Sequence, residues 1–192
     1  MRGCLQLPWT LRLLALGVGV YLICAHLHGR GFRVGWTPSS QPPGLYRAVP
    51  RPPGRHQLAL VVLPPQIAAV GRERGYLLFA EVGKCIAALP GDWVAVDAMG
   101  ITVNGRPLPG TAQLRFDSEG RPLPPLRIAG HRVPPGWIWL YSNHTPLSWD
   151  SRYFGAVPLD AVRGTLRPML TFPPFPRTDQ GEPTCNWTPT GT

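Results

Sequence analysis

The stretch Gly83-Lys84-Cys85-Ile86-Ala87-Ala88-Leu89-Pro90-Gly91-Asp92-Trp93-Val94 places the only lysine of the chain in an apolar run that ends at a Pro-Gly turn. The chain has 19 Lys and Arg residues, so all but this one are arginine. An arginine keeps its proton in a protein, whereas a lysine that is removed from water can become neutral. We therefore interpret Lys84 as a candidate general base. The alternative is an arginine-biased composition that retains one surface lysine.

An upstream stretch, Ser39-Ser40-Gln41-Pro42-Pro43-Gly44-Leu45-Tyr46, contains a candidate nucleophile in Ser40. A serine nucleophile needs a base within hydrogen-bond distance, and a neutral amine can take that part as readily as an imidazole. Ser40 and Lys84 together therefore suggest nucleophilic catalysis by a serine and lysine pair.

A third stretch, Ser148-Trp149-Asp150-Ser151-Arg152-Tyr153-Phe154-Gly155, carries two opposite charges two residues apart. On an extended strand, Asp150 and Arg152 would point to the same face and could pair. Such a pair could hold the floor of an active site. The alternative is an ordinary surface ion pair, which contributes only about 0–1 kcal/mol to stability.

The three stretches resemble, in the same order, the conserved boxes of the type I signal peptidases. Ser40-Gln41-Pro42 resembles their Ser-Met-Pro nucleophile box, and Pro43-Gly44-Leu45-Tyr46 resembles the TraF-like branch, which serves conjugative transfer. Residues 84–92 are similar to the box Lys-Arg-Val-x-x-Leu-Pro-Gly-Asp, with Cys85-Ile86 in place of Arg-Val. Residues 148–155 resemble the last box, Ser-x-Asp-Ser-Arg-Tyr-x-Gly. The resemblance covers roughly residues 37–171.

This resemblance implies a mostly β protein, with a signal-peptidase-like catalytic core of short antiparallel strands and one N-terminal membrane-anchor helix. It implies a serine endopeptidase whose catalytic residues are Ser40 and Lys84, with Ser148, Asp150 and Arg152 in supporting positions. Ser148 would bond the lysine amine and direct it at Ser40. No cofactor and no metal are expected, because the nucleophile, the base and the oxyanion donors are all protein groups.

The oxyanion site departs from the pattern of the family. The backbone N–H of Ser40 is the first expected donor. Many bacterial relatives add a hydroxyl two residues before the nucleophile, but this chain has Pro38 there. Thr37 or Ser39 would have to replace that hydroxyl.

Residues 11–27 are nearly all apolar and predict a membrane segment. The cleanest part, residues 13–27, would form about 22 Å of helix, which is short of a hydrocarbon core of about 30 Å. A start at residue 7 gives spanning length if the Arg12 side chain reaches the interface. A removable signal peptide is the alternative. Because no Ala-x-Ala cleavage site is evident, we predict an uncleaved anchor.

Composition and apolar runs predict the rest of the organisation. Gly (22) and Pro (25) favour short strands and turns. We predict an anchor or signal segment at residues 1–28, a short stalk at 28–40, a catalytic domain at 29–172 and a disordered tail at 173–192. Residues 107–135 are expected to form an insertion or a long surface loop. The predicted strands are residues 58–63, 93–96, 101–103, 137–141 and 162–172.

Charge and cysteine content narrow the classes of partner. The net charge is +9, but the arginines are scattered, so we predict binding to anionic lipid rather than to nucleic acid. The four cysteines contain no Cys-x-x-Cys spacing, which argues against a metal site. Cys85 and Cys185 could pair in an oxidising compartment, but Cys185 lies in the predicted tail and Cys85 adjoins the candidate base, so the pairing stays open.

By resemblance, the substrate is an exported precursor protein, and for the conjugative branch it is a pilin precursor. The implied location is the bacterial inner membrane, in a single pass, with the catalytic domain on the periplasmic side. Other components of a transfer apparatus are expected partners. A general signal (leader) peptidase is the alternative enzyme, although Gln41 and Ser142-Asn143-His144 depart from the usual housekeeping pattern. A non-enzymatic envelope assembly protein that keeps the fold is the alternative of a different class.

Overall fold

The first element is an apolar helix, α1 (Trp9–Gly29), none of whose residues is buried against the rest of the protein. The computed structural model describes residues 8–35 and 40–185. Twenty-one helical residues span about 31 Å, which matches the hydrocarbon core of a bilayer. The helix is thus long and apolar enough to cross a membrane, a property that an N-terminal signal sequence would share. Residue 7, where we predicted the start, lies outside the described residues.

The domain that follows α1 consists of two antiparallel sheets, which confirms the predicted mostly β fold. The larger sheet has the strand order β1-β2-β11-β3-β4-β9-β10, and the smaller one has the order β7-β6-β5-β8. The strands are β1 (Phe32–Gly35), β2 (Gly44–Val49), β3 (Leu58–Val62), β4 (Glu81–Ala88), β5 (Trp93–Asp97), β6 (Gly100–Val103), β7 (Arg106–Pro107), β8 (Ile128–Arg132), β9 (Trp137–Tyr141), β10 (Val157–Pro158) and β11 (Val162–Thr171). Two further helices are α2 (Pro65–Glu73) and α3 (Ser151–Phe154).

The predicted strands correspond to β3, β5, β6, β9 and β11. Asn104 and Gly105 form the tight turn between β6 and β7, with φ values of 50° and 76°. Positive φ at both central residues is what a type I′ hairpin turn requires, and Asn-Gly is its favoured sequence. The apolar runs therefore predicted these five strands correctly.

Strand β4 separates two apolar clusters because its side chains alternate between the two faces of the large sheet. Cys85 and Ala87 pack in one cluster, between the two sheets, while Ile86 packs in the other. The aromatic strand β9 contributes Trp139 to the first cluster, whereas Trp137 at the start of that strand is 42% exposed. The core therefore lies on both sides of the strand that carries Lys84.

The expected stalk at residues 28–40 is partly a strand of the domain. Only Arg30 and Gly31 separate α1 from β1, and the Ala48 N–H donates to the Gly31 carbonyl at 2.7 Å. Arg33 on β1 donates to the His28 carbonyl at 3.0 Å and to Glu81 on β4 at 2.6 Å. The stalk prediction is therefore wrong for residues 32–35, because these residues pair with β2.

The surface-loop prediction for residues 107–135 is wrong in part. The segment contains β8, which pairs with β5, and the side chains of Leu108, Leu123 and Val133 are buried. These apolar residues are too widely and irregularly spaced to produce a periodic signal. They nevertheless fix the segment to the domain.

The disordered-tail prediction is wrong for residues 173–185. Phe175 and Cys185 are buried in the core, and Cys185 forms a disulfide with Cys85. The Cys185 N–H also donates to the His56 carbonyl at 2.7 Å. Two anchoring side chains hold the segment, so a composition rich in Pro and Thr does not reveal its order. Residues 186–192 lie outside the described part of the chain.

A substitution at Gly44 tests the close packing of β2 against β11. A Cβ at this position would overlap the Leu170 carbonyl oxygen and lie 2.8 Å from Thr171 Cα, both of them backbone atoms that cannot rotate away. We expect Gly44→Ala to lower the free energy of unfolding by about 1–3 kcal/mol, as overpacking does. Chemical denaturation followed by tryptophan fluorescence measures this change.

Gly54→Ala is the matched control for Gly44→Ala. The nearest atom to a Cβ at position 54 is Gln57 Oε1 at 3.7 Å, an ordinary contact. This variant is expected to change the free energy of unfolding by less than about 1 kcal/mol. Equal losses in the two variants would contradict the close approach of β2 and β11.

Candidate active site

Lys84 lies on β4 with its side chain fully buried. Its Nζ is 2.5 Å from Ser40 Oγ and 2.8 Å from Ser148 Oγ. The structure thus brings together one residue from each of the three sequence stretches. The two hydroxyls are the hydrogen-bond partners of an amine that is otherwise removed from water.

Burial lowers the pKa of Lys84 to about 8, because desolvation disfavours the charged ammonium. The negative charge of Asp150 opposes this shift and the positive charge of Arg152 adds to it. A lysine with this pKa is partly neutral near pH 7–8. A neutral Nζ has one lone pair, which can accept the proton of Ser40 while an N–H of the same amine donates to Ser148.

Residues 40–43, which we call the nucleophile segment after the candidate nucleophile Ser40, are held to the domain by at least one contact at each residue. Ser40 itself is half-buried and keeps its hydroxyl on the amine of Lys84. The four contacts are Ser142 Oγ to the Ser40 carbonyl, Gln41 Nε2 to Cys85 Sγ (3.4 Å), Tyr46 Oη to the Pro42 carbonyl (2.5 Å) and the Phe172 N–H to the Pro43 carbonyl (2.9 Å). Their partners come from different parts of the chain, so the position of Ser40 depends on the whole sheet.

Asp150 and Arg152 form a fully buried, two-pronged ion pair. Arg152 Nε donates to Asp150 Oδ1 at 2.8 Å, and Nη2 donates to Oδ2 at 2.9 Å. The pairing was predicted, but on an extended strand. Instead, Asp150 caps the N-terminus of α3, where its carboxylate also accepts the Arg152 backbone N–H at 3.1 Å. The surface-pair alternative is excluded because both side chains are inaccessible to solvent.

The Asp150–Arg152 pair connects three segments around the site. Arg152 donates to the carbonyls of Gly110 (3.2 Å) and Ala112 (3.3 Å) and to the carbonyl of Ser142. Asp150 in turn accepts the Ser142 N–H at 3.0 Å. Every polar atom of the pair thus has a partner, as a buried charge requires.

Ser142 is a site residue whose contacts the sequence did not predict. It follows β9, it is fully buried, and its hydroxyl donates to the Ser40 carbonyl. Its backbone N–H and carbonyl bind Asp150 and Arg152 respectively. It therefore joins Ser40, the candidate nucleophile, to the ion pair. A single serine after an aromatic strand carries no sequence signal for this arrangement.

Two further expectations concern groups around Ser40 and Lys84. Thr37, Pro38 and Ser39 lie outside the described residues, so the second oxyanion donor stays a prediction. Within residues 8–35 and 40–185, no three His, Cys, Asp or Glu side chains come together as metal ligands.

Comparison with known proteins identifies the family. The sequence profile described as "Signal peptidase, peptidase S26" matches residues 39–170. The "Conjugal transfer protein TraF" of Agrobacterium fabrum is 39% identical over 154 residues, covering 75% of this chain and 85% of that protein. A "Plasmid transfer protein TraF" of Escherichia coli is 33% identical over 165 residues, covering 81% and 92% of the two chains.

A solved structure is also similar. The signal peptidase I of Enterococcus faecalis V583 matches with 21% identity and a TM-score of 0.36, over 59% of this chain and 95% of that one. The profile match and the TraF relatives cover most of the chain, as the resemblance of the three boxes predicted. The chain therefore belongs to the signal peptidase family, peptidase S26.

Proposed function

We propose that the protein is a membrane-anchored serine endopeptidase in which Ser40 is the nucleophile and Lys84 is the general base. The observation that carries the proposal is the 2.5 Å approach of a fully buried lysine amine to the hydroxyl of Ser40. Neither group is reactive alone, because a serine hydroxyl is a weak nucleophile and a solvated lysine is protonated. Their contact supplies a base whose pKa of about 8 suits proton transfer near neutral pH.

The first half of the reaction forms an acyl-enzyme. Neutral Lys84 accepts the proton of Ser40, and Oγ attacks the carbonyl carbon of the scissile peptide bond. The negative charge that develops on the carbonyl oxygen needs backbone N–H donors, of which the N–H of Ser40 is the nearest in sequence. Protonated Lys84 then gives its proton to the departing amine, and the C–N bond breaks.

The second half releases the product. Lys84, neutral again, takes a proton from a water molecule that attacks the ester carbonyl of the acyl-enzyme. The C–O bond to Ser40 then breaks, and the lysine returns the proton to Oγ. Base and nucleophile thus end in their starting states, so the cycle needs no cofactor.

Three residues support this reaction without receiving the proton. Ser148 holds the Nζ of Lys84 at 2.8 Å, which restricts the flexible lysine side chain to the position facing Ser40. Asp150 and Arg152 form the floor of the site and hold Ser142, which contacts the Ser40 carbonyl. We assign these residues to positioning rather than to chemistry.

The substrate that we propose is an exported precursor protein used in conjugation, specifically a pilin precursor. The names of the relatives, conjugal and plasmid transfer proteins, support this choice over a general leader peptidase. We propose a single pass of α1 through the bacterial inner membrane, with the catalytic domain on the periplasmic side. The disulfide supports an oxidising compartment. Membrane lipid and components of a transfer apparatus are the proposed partners.

Ser40→Ala tests the nucleophile. We expect precursor cleavage to fall by at least about a thousandfold, while the protein still folds, because removal of one hydroxyl from a half-buried site leaves little cavity. Mass spectrometry of small membrane and secreted proteins from cells with each form measures the loss and identifies the precursor. Ser39→Ala is the control and is expected to be far milder than Ser40→Ala, because only Ser40 aligns with the Ser-x-Pro pattern. A dead Ser39→Ala variant, or loss of many unrelated leader cleavages, would contradict the assigned nucleophile or the assigned substrate.

Lys84→Arg tests the base. The guanidinium keeps the positive charge but has no neutral form at accessible pH, so cleavage is expected to collapse. Arg106→Lys, the reverse exchange at an exposed position, is the control and is expected to be silent. In the wild type, activity should rise with pH through about 8, as Lys84 loses its proton. A Lys84→Arg enzyme of near wild-type rate would end the proposed mechanism.

Membrane fractionation tests the topology. An uncleaved α1 anchor should keep the full-length chain in the membrane fraction after a carbonate wash at high pH, since an apolar helix of 21 residues does not leave the bilayer. Protease added to spheroplasts should degrade the catalytic domain. Appearance of a shortened, soluble form would instead assign residues 9–29 to a removable signal sequence.

A further inference from the structure

The disulfide includes the residue that follows Lys84 and contacts the residue that follows Ser40. Cys85 directly follows Lys84 on β4, and its side chain is on the opposite face of that strand. Its Sγ, bonded to Cys185, is 3.4 Å from the side-chain amide of Gln41, which directly follows Ser40. Both cysteine side chains are almost completely buried. The disulfide therefore contacts the nucleophile segment through Gln41, and one of its cysteines lies on β4, the strand that carries Lys84.

The other end of the disulfide is fixed by hydrogen bonds. The Cys185 N–H donates to the His56 carbonyl at 2.7 Å, and the Cys185 carbonyl accepts the Tyr141 hydroxyl at 3.2 Å. The same hydroxyl is 3.0 Å from His56 Nδ1, and Tyr141 pairs with Cys85 across β4 and β9. The C-terminal segment is thus attached to the face of β4 that lies opposite the Lys84 side chain.

We propose that the Cys85–Cys185 disulfide positions the dyad, holding Gln41 and the back of β4 so that Ser40 stays seated on the amine of Lys84. Cys85, Cys185 and Gln41 are positioning residues in this account, because none of them touches the reacting atoms. The assignment of a reaction to the dyad rests on the proposed function. The geometry that the disulfide maintains does not depend on that function and is measured separately.

Loss of the disulfide has a specific consequence at Lys84. Without the bond to Cys185, Cys85 Sγ becomes a thiol that can rotate away from the Gln41 amide. Ser40 then becomes free to move off the amine of Lys84, which admits water. The charged groups that face Lys84, Asp150 and Arg152, belong to the N-terminus of α3 and keep their own contacts. On the disulfide side the titratable neighbours are Tyr141 and His56. Hydration favours the ammonium, so the pKa of Lys84 should rise from about 8 towards 10.5.

The single lysine makes this shift directly measurable. Full-length protein labelled with [¹⁵Nζ]lysine gives one side-chain resonance, which is titrated in detergent from pH 6 to pH 11. We expect wild type to titrate near 8 and Cys185→Ala to titrate at least one pH unit higher. Cys24→Ala is the matched control, because Cys24 is an exposed free cysteine of α1. It is expected to titrate like wild type.

Peptidase activity gives the second readout. A rise of one unit in the pKa lowers the neutral fraction of Lys84, and hence kcat at pH 7, about tenfold. The loss should shrink as the pH approaches 10, where the amine of the variant is also neutral. Loss of the contact between Ser40 and Lys84 would thus appear as a shift of the pH profile to higher pH, and not as an equal loss of activity at every pH.

A purely structural disulfide would behave differently. Because the cross-link joins residues 100 apart, its removal is expected to lower the stability of the protein. All titrations are therefore made at a temperature where tryptophan fluorescence shows the variant to be folded. A folded Cys185→Ala protein with an unchanged Lys84 titration and an unchanged pH profile would overturn the proposal.

Two further arms keep the test decisive if Cys185→Ala does not fold. Gln41→Ala leaves the disulfide intact and removes only the contact, so it should raise the Lys84 titration in the same direction. In the wild type, a dithiol reagent gives two electrons and two protons to the disulfide, which yields two thiols and a cyclic disulfide of the reagent. Unchanged titration in both arms would overturn the proposal. A shifted titration in these arms, together with a wild-type protein that cleaves no precursor at any pH, would support positioning and reject the proposed function.

Discussion

The removal of one amine from water is the constraint on which the rest of the structure depends. Burying an ammonium in a protein interior is unfavourable unless a counter-charge compensates for it, and the hydrogen-bond partners of Lys84 are instead two hydroxyls. The interior therefore favours the neutral amine, and the opposed fields of Asp150 and Arg152 do not reverse that preference. The buried position on the inner strand β4 is thus itself what leaves the amine neutral and able to accept a proton.

The buried ion pair has a different task from the amine. Asp150 and Arg152 neutralise each other, and their remaining hydrogen bonds are formed with backbone groups of residues 110, 112 and 142. A pair of this kind adds little net stability over apolar packing, but removal of one partner leaves an uncompensated charge that costs about 3–5 kcal/mol. Its value here is geometric, because it joins α3, the loop at residue 110 and the end of β9 in one arrangement. Ser142 connects Ser40 to this arrangement, because its hydroxyl donates to the Ser40 carbonyl.

The sequence predicted those parts of the protein whose signals are local or shared with a family. Apolar runs predicted β3 and β9, and the three boxes predicted that Ser40, Lys84 and Ser148 would meet. The contacts of Ser142 could not be predicted, because a hydrogen bond to a backbone carbonyl 102 residues away leaves no pattern. The order of residues 173–185 was missed because it depends on a disulfide between distant cysteines. The pairing of Asp150 with Arg152 was right, but a helix cap rather than a strand produces it.

The short connection between α1 and β1 determines how far the active site can reach. Arg30 and Gly31 alone join the two elements, and Arg33 ties the last turn of the helix to β4 through the His28 carbonyl and Glu81. A domain on a long tether would sample many heights above a bilayer, whereas this joint has little freedom to bend or extend. With α1 as the proposed anchor, this short connection would hold Ser40 at one fixed distance from the bilayer surface. Bonds in a precursor would then be selected by their distance from the membrane as well as by their side chains.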